Sequence, residues 1–286
     1  MDFARWGPAQ IERLTVSETL FSPAKLTKHL RVTGVRSDGM HELESEMVSL
    51  SFGDTMEISD GNGIEILDDT VALSWLGSHL SGIPTGESNL ISRALDLVGQ
   101  RAMVRVFKRI PPGAGLGGGS SNAAAVLRYF GAIEPIEKAA LLGADVPFCV
   151  KGGRAIARGV GEILEPLPYK WESFVLLLSP FGVSTGEVYA NFDLMTGEWK
   201  GTGNNLEPAA QSCEPRLKKS KMALQSLSGT EPILAGSGST YFIPGTFADV
   251  ELQSTPIERQ GFRYADVTID EVRYRMIETS ALPRLD

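Results

Sequence analysis

The chain has 286 residues, 42% of them hydrophobic, with 27 Lys and Arg against 35 Asp and Glu for a net charge of −8. That length holds one large domain or two ordinary ones with real cores, and the acidic balance argues against a nucleic-acid partner. A run of about eighteen apolar residues is lacking, so no membrane span is expected; the first ten residues carry Asp2, Arg5 and Pro8, so no secretory leader is expected, and the two cysteines, Cys149 and Cys213, make no disulfide framework, which leaves the cytoplasm as the expected compartment.

In chain order, residues 14–20 read as a weak strand. Residues 43–50 and 54–58 read as strands on either side of Phe52-Gly53, and 64–67 with 71–76 as a hairpin about Asp68-Asp69-Thr70. A helix is expected over 89–98, where Leu90, Ile91, Ala94, Leu95 and Val98 recur at helical spacing and Ser88 is placed to cap. A strand over 102–107, a glycine-rich loop, a helix over 120–130 and a helix over 135–142 stopped by Gly143 follow. Gly152-Gly153 and Gly159 to Gly161 punctuate a strand pair that ends near Leu167, and 166–171 reads as a linker. Beyond it, 174–178 is a continuous apolar run and reads as a buried strand. Residues 184–192 and 214–227 read as helices, and 232–235 and 240–243 as strands around Gly236-Ser237-Gly238. The tail after Gly245 carries no clear period. Strands, then helices, then strands again give an α+β fold in two domains, 1–167 and 168–286.

The loop carries the first chemical signal. Pro111-Pro112-Gly113-Ala114-Gly115-Leu116-Gly117-Gly118-Gly119-Ser120-Ser121-Asn122 packs five glycines into the seven positions from 113 to 119, ahead of a helical run. Bare glycines let the backbone reach positive φ and approach a ligand without a Cβ in the way. Their amides can cradle an anion, and the start of the following helix adds partial positive charge. The run is not a Walker loop, because Ser120 stands where the lysine belongs, and its glycines are too dense for a dinucleotide fingerprint. Strand, glycine loop and helix together read as a phosphate site rather than a linker. Ser120 and Ser121 would cap the helix or face a Mg²⁺ on the phosphates. Positive charge is concentrated where Lys25, Lys28, His29 and Arg31 sit together and at Lys108-Arg109, just before the glycine loop.

Four segments then resemble a known family. Ser22-Pro23-Ala24-Lys25-Leu26, Asp38-Gly39-Met40-His41-Glu42-Leu43, the glycine run, and Gly143-Ala144-Asp145-Val146-Pro147-Phe148, with a weaker Gly236-Ser237-Gly238-Ser239, are similar to the motifs of the GHMP small-molecule kinases. The likeness covers about 22–167 and again 234–243. It implies an N-terminal ribosomal-protein-like α/β domain, a C-terminal ferredoxin-like α+β domain, and an ATP- and Mg²⁺-dependent transfer of phosphate to a hydroxyl of a cytidine-diphosphate-linked polyol. On that resemblance Asp145 is the acid-base and Lys25 its partner, which suits a reaction made mostly of positioning and charge neutralisation. ATP would lie along Pro112 to Asn122, with Asn89 and Lys108 near the adenine and Ser121 toward the metal. Met40, His41, Thr185 and Tyr189 would form the substrate side, His41 bonding the cytosine and Tyr189 stacking on it.

This sequence departs from the family pattern in places. Met40 precedes the histidine where an aromatic is usual, Met47 replaces a second pocket aromatic, Thr27 stands for asparagine, and the segment before Gly143 is short. Two alternatives therefore stay open: a GHMP kinase with another alcohol acceptor, and a silent nucleotide-binding member.

Overall fold

The computed structural model describes residues 17–69, 80, 82–195 and 203–285. The described residues open on a long antiparallel ladder between β1 (Glu18–Val35) and β2 (His41–Ser59). Gly39 makes the turn between them at φ +83°, and Asp38 Oδ1 accepts the amide of Met40 at 3.0 Å. The ladder breaks register between Pro23 and Lys25, between Thr27 and His29, and between Val32 and Gly34. A Cβ on Gly53 would stand 2.3 Å from Ser22 O, so only glycine lets the strands cross there. β1 is thus far longer than the weak strand expected over 14–20, whose first residues, 14–16, lie outside the described residues.

β2 is long enough to serve two neighbours along its other edge. Leu43–Val48 pair with β5 (Arg154–Gly159), and Thr55–Ser59 pair with β4 (Met103–Lys108). The sheet runs β3-β4-β2-β5-β6, with β1 on β2, where β3 is Gly63–Asp68 and β6 is Ile163–Pro166. β3 lies parallel to β4, with α1 (Leu90–Leu97) between them in the chain. The hairpin partner expected at 71–76 lies outside the described residues.

α1, α2 (Gly118–Tyr129), α3 (Ile136–Ala140) and α4 (Val146–Lys151) pack on this sheet. Their core joins Met56, Ile58, Val104 and Val106 to Ile91, Leu95, the run Ala123–Leu127, Val146 and Phe148. α1 is capped by Asn89, not Ser88: Asn89 Oδ1 accepts the amide of Ile91 at 2.8 Å. α2 begins two residues before the expected Ser120, on the left-handed Gly117. α4, with proline in its first turn, was not expected at all.

The second sheet is antiparallel throughout, ordered β10-β11-β12-β7-β9-β8. Here β7 is Ser173–Leu178, β8 Ile233–Leu234, β9 Tyr241–Pro244, β10 Ile257–Arg259, β11 Phe262–Ile269 and β12 Val272–Ser280. α5 (Thr185–Leu194), α6 (Glu207–Cys213) and α7 (Arg216–Ser228) belong to this half. β7 is apolar along its length because both its faces are covered. Val175 and Leu177 join the core beneath these helices, whereas Phe174, Leu176 and Leu178 join a separate core. That second cluster includes Ala24, Leu26, Val48, Leu50 and Phe52 from the first ladder, so apolar packing joins the two sheets.

The α+β description holds. Among the described residues, a short 3₁₀ turn at Phe247–Asp249 stands between β9 and the three strands β10 to β12. No described helix is long and apolar enough to cross a membrane.

Candidate active site

A cleft of about 910 Å³ is lined by the glycine loop, the middle of β1, the β1–β2 turn, Asp145, the start of α5 and the Gly236-Ser237 turn. It therefore gathers the four sequence segments in one place.

At its centre Lys25 Nζ lies 3.2 Å from Asp145 Oδ2. Lys25 follows the register break at Pro23, its side chain is only 6% exposed, and its ammonium also donates to Thr27 Oγ1 at 3.2 Å. Thr27 therefore keeps a polar group beside the lysine. Asp145 sits at the cap position of α4 yet makes no hydrogen bond to the helix amides. Its carboxylate is turned to the lysine instead, with 29% of the side chain exposed. Capping, the plain structural use for an Asp before a helix, is thus not how this carboxylate is employed.

The loop is fixed on several sides. Lys25 N donates to Leu116 O at 3.0 Å, Val183 N and Ser239 N each donate to Gly113 O at 3.0 Å, and Thr240 N donates to Ala114 O at 3.2 Å. Gly113, Gly115 and Gly117 have φ of +64°, +74° and +66°, while Ala114 and Leu116 between them are buried. A Cβ on Gly115 would meet Ala235 O at 2.0 Å, and one on Gly118 would meet Lys108 Nζ at 2.8 Å. The glycines thus do two jobs: they line the cleft with backbone that carries no Cβ, and they let neighbouring segments close on the loop.

The hydroxyls divide. Ser120 lines the cleft. Ser121 is fully buried, and its hydroxyl donates to Pro23 O at 2.6 Å and accepts from Ser22 at 3.0 Å. Ser121, expected toward a metal, thus ties α2 to β1 through its hydroxyl. Asn122 lines the cleft and accepts from Ser22 Oγ at 2.8 Å. Asn89 also lines it, but caps α1 and donates to Pro84 O at 2.6 Å. Lys108 falls on the inward face of β4, alternating with exposed Arg105, and its ammonium pairs with buried Asp54. The other Asp54 oxygen accepts the amides of Arg109 and Ile110 at 2.7 and 2.8 Å. The Lys108 ammonium so lies beside Gly118, at the start of α2.

At the far end, the rings of His41 and Tyr189 stand 4.7 Å apart at 35°. Burial, together with the charge of Asp145, pushes the Tyr189 hydroxyl up to about 12. Thr185 Oγ1 lies 2.8 Å from Ser237 Oγ, at the Gly236 turn. Asn204 holds that turn by donating to Leu234 O at 2.8 Å and Gly236 O at 2.6 Å. Met40 is 49% exposed and Met47 is buried, and both line the cleft. Sequence reasoning missed Asp54, Asn204 and Asp193, whose Oδ1 lies 2.7 Å from His41 Nε2. A signal for the last existed: Thr185, Tyr189 and Asp193 recur at four-residue spacing on one helix.

Fold and site together define a small-molecule kinase of the GHMP class, and residues 89–153 match the GHMP kinases N terminal domain. A 4-diphosphocytidyl-2-C-methyl-D-erythritol kinase of Syntrophomonas wolfei is 34% identical over 284 residues, covering 87% of this chain and 95% of that one. The enzyme of that name from Paracoccus denitrificans is 37% identical, covering 79% and 86%. A crystal structure of 4-(cytidine 5'-diphospho)-2C-methyl-D-erythritol kinase superposes with a TM-score of 0.59 at 30% identity, covering 79% of this chain and 89% of that one. The chain belongs to the 4-diphosphocytidyl-2-C-methyl-D-erythritol kinase family.

Proposed function

We propose that this chain transfers the γ-phosphoryl group of ATP to a hydroxyl of 4-diphosphocytidyl-2-C-methyl-D-erythritol, a step of non-mevalonate isoprenoid biosynthesis. The observation that carries this reading is the 3.2 Å contact of Lys25 with Asp145 beside the left-handed Gly117, in a cleft that also holds His41 and Tyr189.

The triphosphate lies along Pro112 to Ser120, with its negative charge at the N-terminus of α2 and the Lys108 ammonium beside Gly118. Asp145 accepts a hydrogen bond from the attacking hydroxyl and takes its proton as the new O–P bond forms and the bond from the γ-phosphorus to the bridging oxygen breaks, leaving ADP. Lys25 offsets the negative charge at this point. Mg²⁺ would neutralise β- and γ-phosphate oxygens. The fit is to a phosphate-bound ion with Ser120 at hand, since among the described residues no cluster of three or more His, Cys, Asp or Glu side chains could hold a metal. The cytosine meets Met40, His41 and Tyr189. On this reading the cleft lies between a nucleotide-side half, 1–167, and a substrate-side half, 168–286.

The relatives at 34% and 37% identity favour this acceptor over other alcohols, and the Lys25–Asp145 pair argues against a silent member. Purified protein with ATP, Mg²⁺ and the cytidine-linked methylerythritol releases ADP one-for-one with phosphorylated product. Equal turnover of homoserine or mevalonate, or none with any alcohol, would reject the reading.

A further inference from the structure

His41 stands at the start of β2 and Asp193 near the end of α5, so their 2.7 Å contact joins the two halves at the mouth of the cleft. A carboxylate offers only acceptor lone pairs, so the shared hydrogen sits on Nε2 and the other ring nitrogen, Nδ1, is left to meet a ligand. The ring is held in that pose. Tyr189 lies against it at 4.7 Å, Phe192 meets it edge-on at 6.0 Å and 78°, and its side chain is only 10% exposed. No described residue bonds Nδ1, and His41 lines the cleft.

Resting on the reading of this end as the base site, we propose that Asp193 is a positioning residue that fixes His41 as a hydrogen-bond acceptor and so selects cytosine over uracil. An acceptor nitrogen pairs with the exocyclic amino group of cytosine. Facing the carbonyl that uracil carries at that position, it sets two lone pairs against each other. Met40, which has replaced an aromatic, stacks on either pyrimidine alike, so discrimination falls to the edge of His41. Without Asp193 the ring is free to turn and to move its proton to Nδ1, which reverses the preference.

The test is equilibrium binding of CDP and UDP to the full chain, as wild type, Asp193→Ala and Asp193→Asn. Wild type binds CDP more tightly, and the CDP-to-UDP affinity ratio falls about tenfold in Asp193→Ala, the weight of one hydrogen bond. Asp193→Asn keeps the size of the side chain but offers both a donor and an acceptor, and gives an intermediate ratio even if the alanine variant folds poorly. A merely structural role weakens both nucleotides together and leaves the ratio alone. Nitrogen-15 spectra of histidine-labelled wild type show His41 protonated on Nε2. An unchanged ratio in the folded variants, or a wild-type His41 protonated on Nδ1, overturns the inference and leaves the base-site reading standing. A wild type that binds neither nucleotide, or both equally, overturns both.

Discussion

Lys25 lies against the bare face of Gly117: a Cβ at residue 117 would stand 2.7 Å from Lys25 Cγ and 3.1 Å from its Cε. The glycine is required twice, for φ +66° at the helix cap and for the stem of the lysine that meets Asp145. Gly117→Val therefore displaces Lys25 as well as crowding the phosphate cradle. The expected result is a fall in kcat of about 10²–10³-fold, the usual loss for one preorganised charge-stabilising group, together with a raised KM for ATP. Steady-state kinetics with unchanged kcat would show that the lysine stem is not held by this contact.

Asp145→Asn keeps the shape of the side chain and removes the proton acceptor. Because the carboxylate makes no cap bond to α4, the helix loses nothing by the change. Turnover is expected to fall by about 10²–10⁴-fold, with ATP affinity and thermal midpoint close to wild type. A variant that keeps its kcat would remove Asp145 from proton transfer, and one that only melts earlier would make it a structural residue.

Gly115 and Gly131 separate backbone strain from crowding. Both are left-handed, at φ +74° and +69°, but a Cβ on Gly115 meets Ala235 O at 2.0 Å while one on Gly131 meets nothing within 4 Å. Gly131→Ala should cost only the left-handed backbone term, about 1–2 kcal/mol. Gly115→Ala must also push the 235–238 turn away, and should cost clearly more in a urea titration. Equal costs would mean that the turn yields freely.

The glycine loop was legible as a loop between a strand and a helix, and its place at the head of α2 follows from its dense glycines. Lys25 and Asp145 lie far apart in the chain, so spacing alone could not join them; resemblance supplied the roles and the fold supplied the 3.2 Å. β1 was hidden by Lys25, Lys28, His29 and Arg31, charges that interrupt its alternation, the first three of them at breaks in its ladder. The tail was hidden for a related reason. β11 and β12 carry Arg263, Asp266, Arg273 and Arg275, and their pairing is long-range or mutual: Arg275 bonds Asp266 at 2.7 and 2.9 Å. The tie of Ser121 to Pro23 was not legible, because a hydroxyl in the first turn of a helix looks the same in sequence whether it faces a ligand or a neighbouring strand.

Lys28 bridges the two halves, lying 3.0 Å from Glu46 on β2 and 2.7 Å from Glu172 just before β7. Burial opposes the charge on both carboxylates, but hydrogen bonds from Arg154 and Lys28 to Glu46, and from Lys28 and Lys170 to Glu172, outweigh it and hold both below the ordinary carboxylate value. A depressed folded value means stability that is fully present above the unfolded pKa and is lost as pH falls through the folded one. Denaturation midpoints should therefore be level near neutrality and drop below the ordinary value of 4.5. Lys28→Met should flatten this acid limb relative to wild type. An acid limb of the same depth in the variant would place its origin in other carboxylates.

Cys149 is buried in α4, four residues beyond Asp145. Burial, and after it the negative charge of Asp145, pushes its thiol up to about 12. The thiolate is the reactive form, so at pH 8 Cys149 is inert while the fold holds. Cys213 is only partly buried; burial and Glu187 raise its thiol too, so it reacts more slowly than a free cysteine but without unfolding. A native protein titrated with an aromatic disulfide should release one equivalent of thiolate, and a second only in denaturant. Asp145→Asn removes the smaller of the two causes and leaves the burial, so the second thiol should remain protected there. Two equivalents from the native variant would show that α4 has come loose from the core, and any kcat loss in that variant would then have to be read as displacement of the helix rather than removal of a base.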